Sequence, residues 1–112
     1  MSTFMVSIQN FKELALSFPE TIERPHFEKT SFRAKNKIFA TLSDEKNLAV
    51  VKLSEIDQSV FCSFDKSIIF PVDNKWGKQG WTVINLKKVR KDMLIDALTT
   101  AYNEVVNTKK KG

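Results

Sequence analysis

The sequence predicts an α+β domain, a largely antiparallel sheet with helices packed on one face. Three observations carry this expectation. Near both ends of the chain, at 8–18 and 93–106, apolar residues recur at three- and four-residue steps, the spacing of a helix with one apolar stripe. In 31–35, 37–42 and 48–53 the period falls to two, which is the alternation of a strand. The strands are joined by short turns built on Asn, Asp and Ser, a length that suits antiparallel neighbours rather than crossovers. At 112 residues, 42% of them hydrophobic, the chain is expected to form one domain over residues 1–112 around one modest core.

Ser7 is placed to cap a first helix whose stripe is Ile8, Phe11, Leu14, Ala15 and Phe18, and Pro19 ends it. Residues 20–29 are polar and contain Pro25, which predicts an irregular or edge-strand connection. In 31–35, Phe32 and Ala34 point one way and Arg33 and Lys35 the other. Asn36 tolerates a positive φ and turns the chain into a second strand, 37–42. There strict alternation puts Ile38, Ala40 and Leu42 on one face and Lys37, Phe39 and Thr41 on the other. Residues 43–47 form a turn and 48–53 a third strand, completing a meander. Ser54 and Asp57 have capping-box spacing, and Ile56, Val60, Phe61 and Phe64 then continue a short amphipathic helix. A brief strand at 68–70 is confined to an edge or strand end by Pro71. Residues 81–86 form a final strand, and Met93, Leu94, Ala97, Leu98, Ala101, Tyr102, Val105 and Val106 trace the longest helix.

Several function classes lose their footing on composition. The longest apolar runs are strand-length, far short of the roughly 20 residues a membrane helix requires. The N-terminal stretch lacks the basic and continuous apolar regions of a signal peptide, so a cytoplasmic location and no membrane contact are expected. One cysteine, Cys62, and one histidine, His26, rule out an intrachain disulfide and a Cys/His zinc site, and no cofactor is expected. The net charge is +5. Residues 1–56 hold eight Lys/Arg against seven Asp/Glu and residues 57–112 hold ten against six, but three of the ten are Lys109, Lys110 and Lys111. Residues 109–112 read as a disordered basic tail, which leaves the rest close to neutral.

The richest stretch for chemistry is 70–81, FPVDNKWGKQGW, with both tryptophans, two glycines and two lysines. Trp76 and Trp81, flanked by Lys75 and Lys78, read as a platform for stacking bases and holding phosphates, or as aromatics that lock a loop onto the core. Arg33, Lys35 and Lys37 surround a single turn, and Lys52 falls nearby if the strands pair in order. They read as phosphate contacts or as a solvated face. His26, between Pro25 and Phe27 and near Glu23 and Glu28, reads as a structural histidine, and Cys62 as a small buried hydrophobe. No nucleophile with a paired base and no phosphate-cradling glycine loop occurs, so the chain is expected not to be an enzyme. The leading expectation is a monomeric, non-enzymatic module that binds DNA or another nucleic acid through Arg33, Lys35, Lys37, Lys52, Lys75, Trp76, Lys78 and Trp81. The alternatives are a protein-interaction domain using the exposed aromatics Phe39 and Trp76 with lysines at its rim, and a small-molecule pocket between the sheet and the loop, closed by Trp76 and approached by His26. A continuous stripe of cations favours nucleic acid, an apolar patch with scattered charge a protein, and a concave aromatic pocket a ligand.

An ordered set of segments resembles the MmcQ/YjbR family of small bacterial proteins. It comprises Phe18-Pro19-Glu20, Arg24-Pro25-His26-Phe27, Ser31-Phe32-Arg33-Ala34, Lys37-Ile38-Phe39-Ala40-Thr41-Leu42, Val51-Lys52-Leu53 and Trp76-Gly77-Lys78-Gln79-Gly80-Trp81-Thr82. The resemblance runs roughly from Phe11 to Val106. It implies a CyaY-like (frataxin-like) fold and, from the label many members carry, DNA binding. Asn36 stands where many relatives have glycine, and Gln79 where a basic residue or histidine is common. The frataxin relatives deliver iron from a dense acidic ridge on the first helix. Here that helix offers Glu13, with Glu20 beyond its end, so iron binding is not carried over.

Overall fold

The computed structural model describes residues 6–26, 29–43, 45–73 and 75–107. Alternation in the strands makes two faces, and the helices choose between them. Six strands, β1 (Thr21–His26), β2 (Lys29–Ala34), β3 (Lys37–Ser43), β4 (Leu48–Lys52), β5 (Ile69–Pro71) and β6 (Trp81–Asn85), form one sheet in the order β1-β2-β3-β4-β6-β5. Every neighbouring pair is antiparallel. The expected α+β architecture is therefore present, with β6 inserted between β4 and β5. The segment 20–29 supplies the edge strand β1, and both edge strands contain a proline, Pro25 and Pro71.

Helices α1 (Ile8–Leu16) and α4 (Lys91–Asn107) lie against one face. Ser7 caps α1 by accepting the Asn10 N–H at 3.0 Å. Phe11 meets Phe32 edge-on at 5.6 Å, and α4 buries Leu94, Ala97, Leu98, Ala101 and Val105. Phe18, past the end of α1, stacks on Tyr102 at 4.8 Å, and the Tyr102 hydroxyl donates to the Pro19 carbonyl at 2.8 Å. These contacts close the core of the covered face.

Two expectations need correction. The register steps between Phe32↔Ala40 and Arg33↔Ile38, leaving Phe39 as an extra residue in β3. This bulge breaks the alternation. Phe39 turns into the core against Phe18 and Tyr102, while Ile38 moves to the opposite face beside Arg33. Helix α2 (Glu55–Cys62) is capped by Ser54, as its spacing predicts, but it does not bury the anticipated stripe. Cys62 is buried and Phe61 packs against the core, whereas Ile56, Val60 and Phe64 are 76%, 62% and 63% exposed. The reason lies in Gln58, which turns inward to hydrogen-bond the β5–β6 connection and so rotates the helix away from that stripe.

Candidate ligand-binding site on the uncovered sheet face

Pairing in the sheet assigns the second face residue by residue, because directly opposed residues share a side. Its middle row is Arg24, Ser31, Thr41, Val50, Val83 and Phe70. On one side of that row stand Ser43, Leu48 and Asn85, with Lys29 one residue beyond Thr30 in β2. On the other side stand Arg33 beside Ile38 and Lys52 beside Trp81, and the Val72 N–H donates to the Trp81 carbonyl at 3.0 Å.

These rows enclose a cavity of about 530 Å³. Ile38, Leu48, Val50 and Val83 make its floor, and Val72, Trp76 and Trp81 make an aromatic wall at one end. Thr41, Ser43, Lys29 and Lys46 supply the polar lining. The floor residues are half-buried, and Trp76, on the one-turn helix α3 (Lys75–Lys78), is 50% exposed.

The wall is held by backbone packing that only glycine permits. A Cβ on Gly80, whose φ is +101°, would fall 1.8 Å from the Leu53 carbonyl oxygen, and one on Gly77 would fall 2.0 Å from that of Val72. The Gln58 amide donates to the carbonyls of Gly77 at 2.8 Å and Trp81 at 3.2 Å and to the Thr82 hydroxyl at 3.1 Å. The Leu53 N–H closes the clasp on the Gly80 carbonyl at 2.9 Å. The connection from β5 to β6 is therefore fixed at both ends of α3 before any ligand arrives.

Charge is divided between the faces. Among the described residues, Glu23 is the one carboxylate carried by any of the strands. It pairs with Phe32, on the helix side, and lies 3.9 Å from Lys12 of α1. The uncovered face carries Arg24, Lys29, Arg33 and Lys52 at its strand positions. Of the cations expected from sequence, Arg33 and Lys52 lie on this face. The Arg33 guanidinium donates to Ser31 at 3.1 Å and the Lys52 ammonium to the Leu53 carbonyl at 3.4 Å. Lys35 and Lys37 do not join them. The Lys35 ammonium reaches the Val106 carbonyl at the end of α4 at 3.5 Å, and Lys37 pairs with Ala34 on the helix side. Lys75 and Lys78 are exposed beside Trp76, and Trp81 is half-buried in the cavity wall.

Arg24, Lys29 and Lys46 were not foreseen as site residues. The signal was present in the alternation of Ile22, Arg24 and His26, which a polar, proline-bearing segment obscures. The His26 side chain and residues 109–112 lie outside the described residues. Burial holds the Cys62 thiol above its ordinary value, with Lys66 opposing that shift, so at neutral pH it is a protonated apolar group. No described helix is long and apolar enough to cross a membrane.

The Deinococcus radiodurans protein DR2400, whose crystal structure contains a domain of the DUF419 family model, superposes with a TM-score of 0.79 over 95% of this chain and 84% of that one. At 16% identity the likeness speaks for the fold alone. A search of curated proteins gives no match. The model of the YjbR family matches residues 16–104, a span that takes in all six strands of the sheet, the clasp around α3 and most of α4. The chain belongs to the YjbR family.

Proposed function

We propose that this chain is a non-enzymatic binding protein that takes a small organic ligand into the cavity on its uncovered sheet face. The observation that carries the reading is a preformed concavity of about 530 Å³, largely apolar, walled by two tryptophans. Ligand pockets commonly measure about 300–1,000 Å³ and combine apolar walls with a few convergent polar groups. The test is titration with an anilinonaphthalene sulfonate dye, followed by its emission and by tryptophan fluorescence. Saturable one-site binding that Val83→Asp removes, with the melting temperature within a few degrees of wild type, supports the reading. Dye binding that ignores this substitution counts against it.

A second reading, single-stranded nucleic acid, is favoured by the absence of carboxylates from the strand positions of this face and by Lys75 and Lys78 beside the half-exposed Trp76. Stacking on the tryptophan wall with phosphates along Arg24 and Arg33 is its mechanism. Tryptophan quenching by short single-stranded DNA, weakening steeply with salt and lost in a Lys75→Ala, Trp76→Ala, Lys78→Ala variant, supports it. Silence at low salt removes it.

A further inference from the structure

We infer that the ligand of this cavity is an elongated apolar carboxylate, its head at Lys29 and Lys46 and its body running along the sheet to Trp76 and Trp81. The inference rests on the small-ligand reading and adds the ligand's charge, length and direction.

Direction comes from the unequal ends of the cavity. At one end the lining is Lys29, Ser43 and Lys46. The Ser43 hydroxyl already accepts the Lys46 N–H at 3.4 Å, which leaves its own proton to donate. Two ammonium groups and a hydroxyl donor suit a carboxylate. At the other end the lining is Val72, Trp76 and Trp81. Lys52 pairs with Trp81 in the register, but its ammonium donates to the Leu53 carbonyl and it takes no part in the lining. One end therefore favours a negative charge, and the other offers carbon surface.

Sign comes from the lining itself. Among the described lining residues both charged groups are lysines, and none is a carboxylate. A cationic ligand would meet two like charges as it entered. A neutral ligand would gain the apolar floor and nothing from the rim.

Length comes from the strands. Trp81 and Asn85 stand at opposite ends of β6, with Asn85 in the row of Ser43 and Leu48. Four residues of strand rise about 13 Å. A ligand that reaches both the lysines and the tryptophans must approach that length. This selects a medium-chain or extended aryl carboxylate over acetate or benzoate.

The experiment compares decanoate, decanol, decylamine and acetate, each below its aggregation concentration, by tryptophan fluorescence and calorimetry on the full chain. Decanoate should bind saturably, decanol about tenfold more weakly from the loss of two exposed ion pairs, decylamine more weakly still, and acetate not at all. In Lys29→Gln with Lys46→Gln, whose melting temperature serves as the folding control, the preference for decanoate over decanol should vanish. Equal binding of decanoate and decanol to the native protein overturns the carboxylate inference and leaves the small-ligand reading standing. A decanoate preference that survives the double substitution overturns the placement of the head. Binding of none of the four overturns the inference, and failure of the dye as well removes the reading beneath it.

Discussion

The two faces of the sheet come from the same strands, and they are finished differently. The covered face buries Phe32, Leu42, Ala49, Val51 and Ile84 completely under α1 and α4. The uncovered face presents Ile38, Leu48, Val50 and Val83 half-buried, with no helix of comparable length across them among the described residues. Apolar residues on the first face are explained by folding. Those on the second lie outside the core, and their concentration between two tryptophans and a rim of cations is what the proposed binding role would account for. Burial, more than composition, distinguishes the two.

The sharpest test of this contrast is truncation on each side. Phe32→Ala should destabilise the chain by about 3–5 kcal/mol through the cavity it leaves, whereas Val50→Ala should cost about 1 kcal/mol and weaken dye binding. Urea unfolding reads both, and equal losses would dissolve the distinction. Next in size is the clasp that bounds the open face. Gly80→Ala should cost about 3 kcal/mol, because a left-handed backbone and a carbonyl contact both refuse the methyl group. A melting temperature close to that of the wild type would show that the connection yields easily. Gln58→Ala should cost about 1–2 kcal/mol and, by loosening α3, shift the Trp76 emission to longer wavelength and lower affinity in the cavity. Unchanged emission would mean that the glycine contacts alone hold the wall.

The smallest effect lies on neither face. Hydrogen bonds from the Ser67 hydroxyl and N–H hold the Asp65 carboxyl below its ordinary value. A depressed native value stabilises the fold above the unfolded-state pKa and loses that contribution as pH falls through the native value. Ser67→Ala should therefore lower the melting temperature slightly at neutral pH, with the difference shrinking as the pH falls through the native value of this carboxyl. A difference that grows on acidification would contradict the sign.

What could be read from sequence was what local chemistry decides. Ser7 and Ser54 cap the helices they precede, the α4 stripe faces the core, and Lys35 and Asn36 share the positive φ values, 54° and 65°, of a two-residue hairpin turn. What escaped depended on distant partners. The bulge at Phe39 exists because the ring finds Phe18 and Tyr102 across the core, contacts that period-two counting cannot weigh. The inward turn of Gln58 depends on carbonyls nineteen and twenty-three positions later. The cavity itself is split between residues 29 and 83 of the chain, so the tryptophan stretch showed one wall and hid the floor. The basic turn read as one patch was divided because a hairpin sends neighbouring side chains to opposite sides.

The two edge prolines carry a last consequence. A sheet ordinarily invites another strand wherever its outermost main chain is unpaired, and that invitation underlies both peptide capture and fibril growth. Pro25 interrupts the donors along one margin and Pro71 along the other. Lateral addition of a foreign strand is thereby discouraged on both sides. The proposed ligand site lies on the broad surface of side chains between those margins.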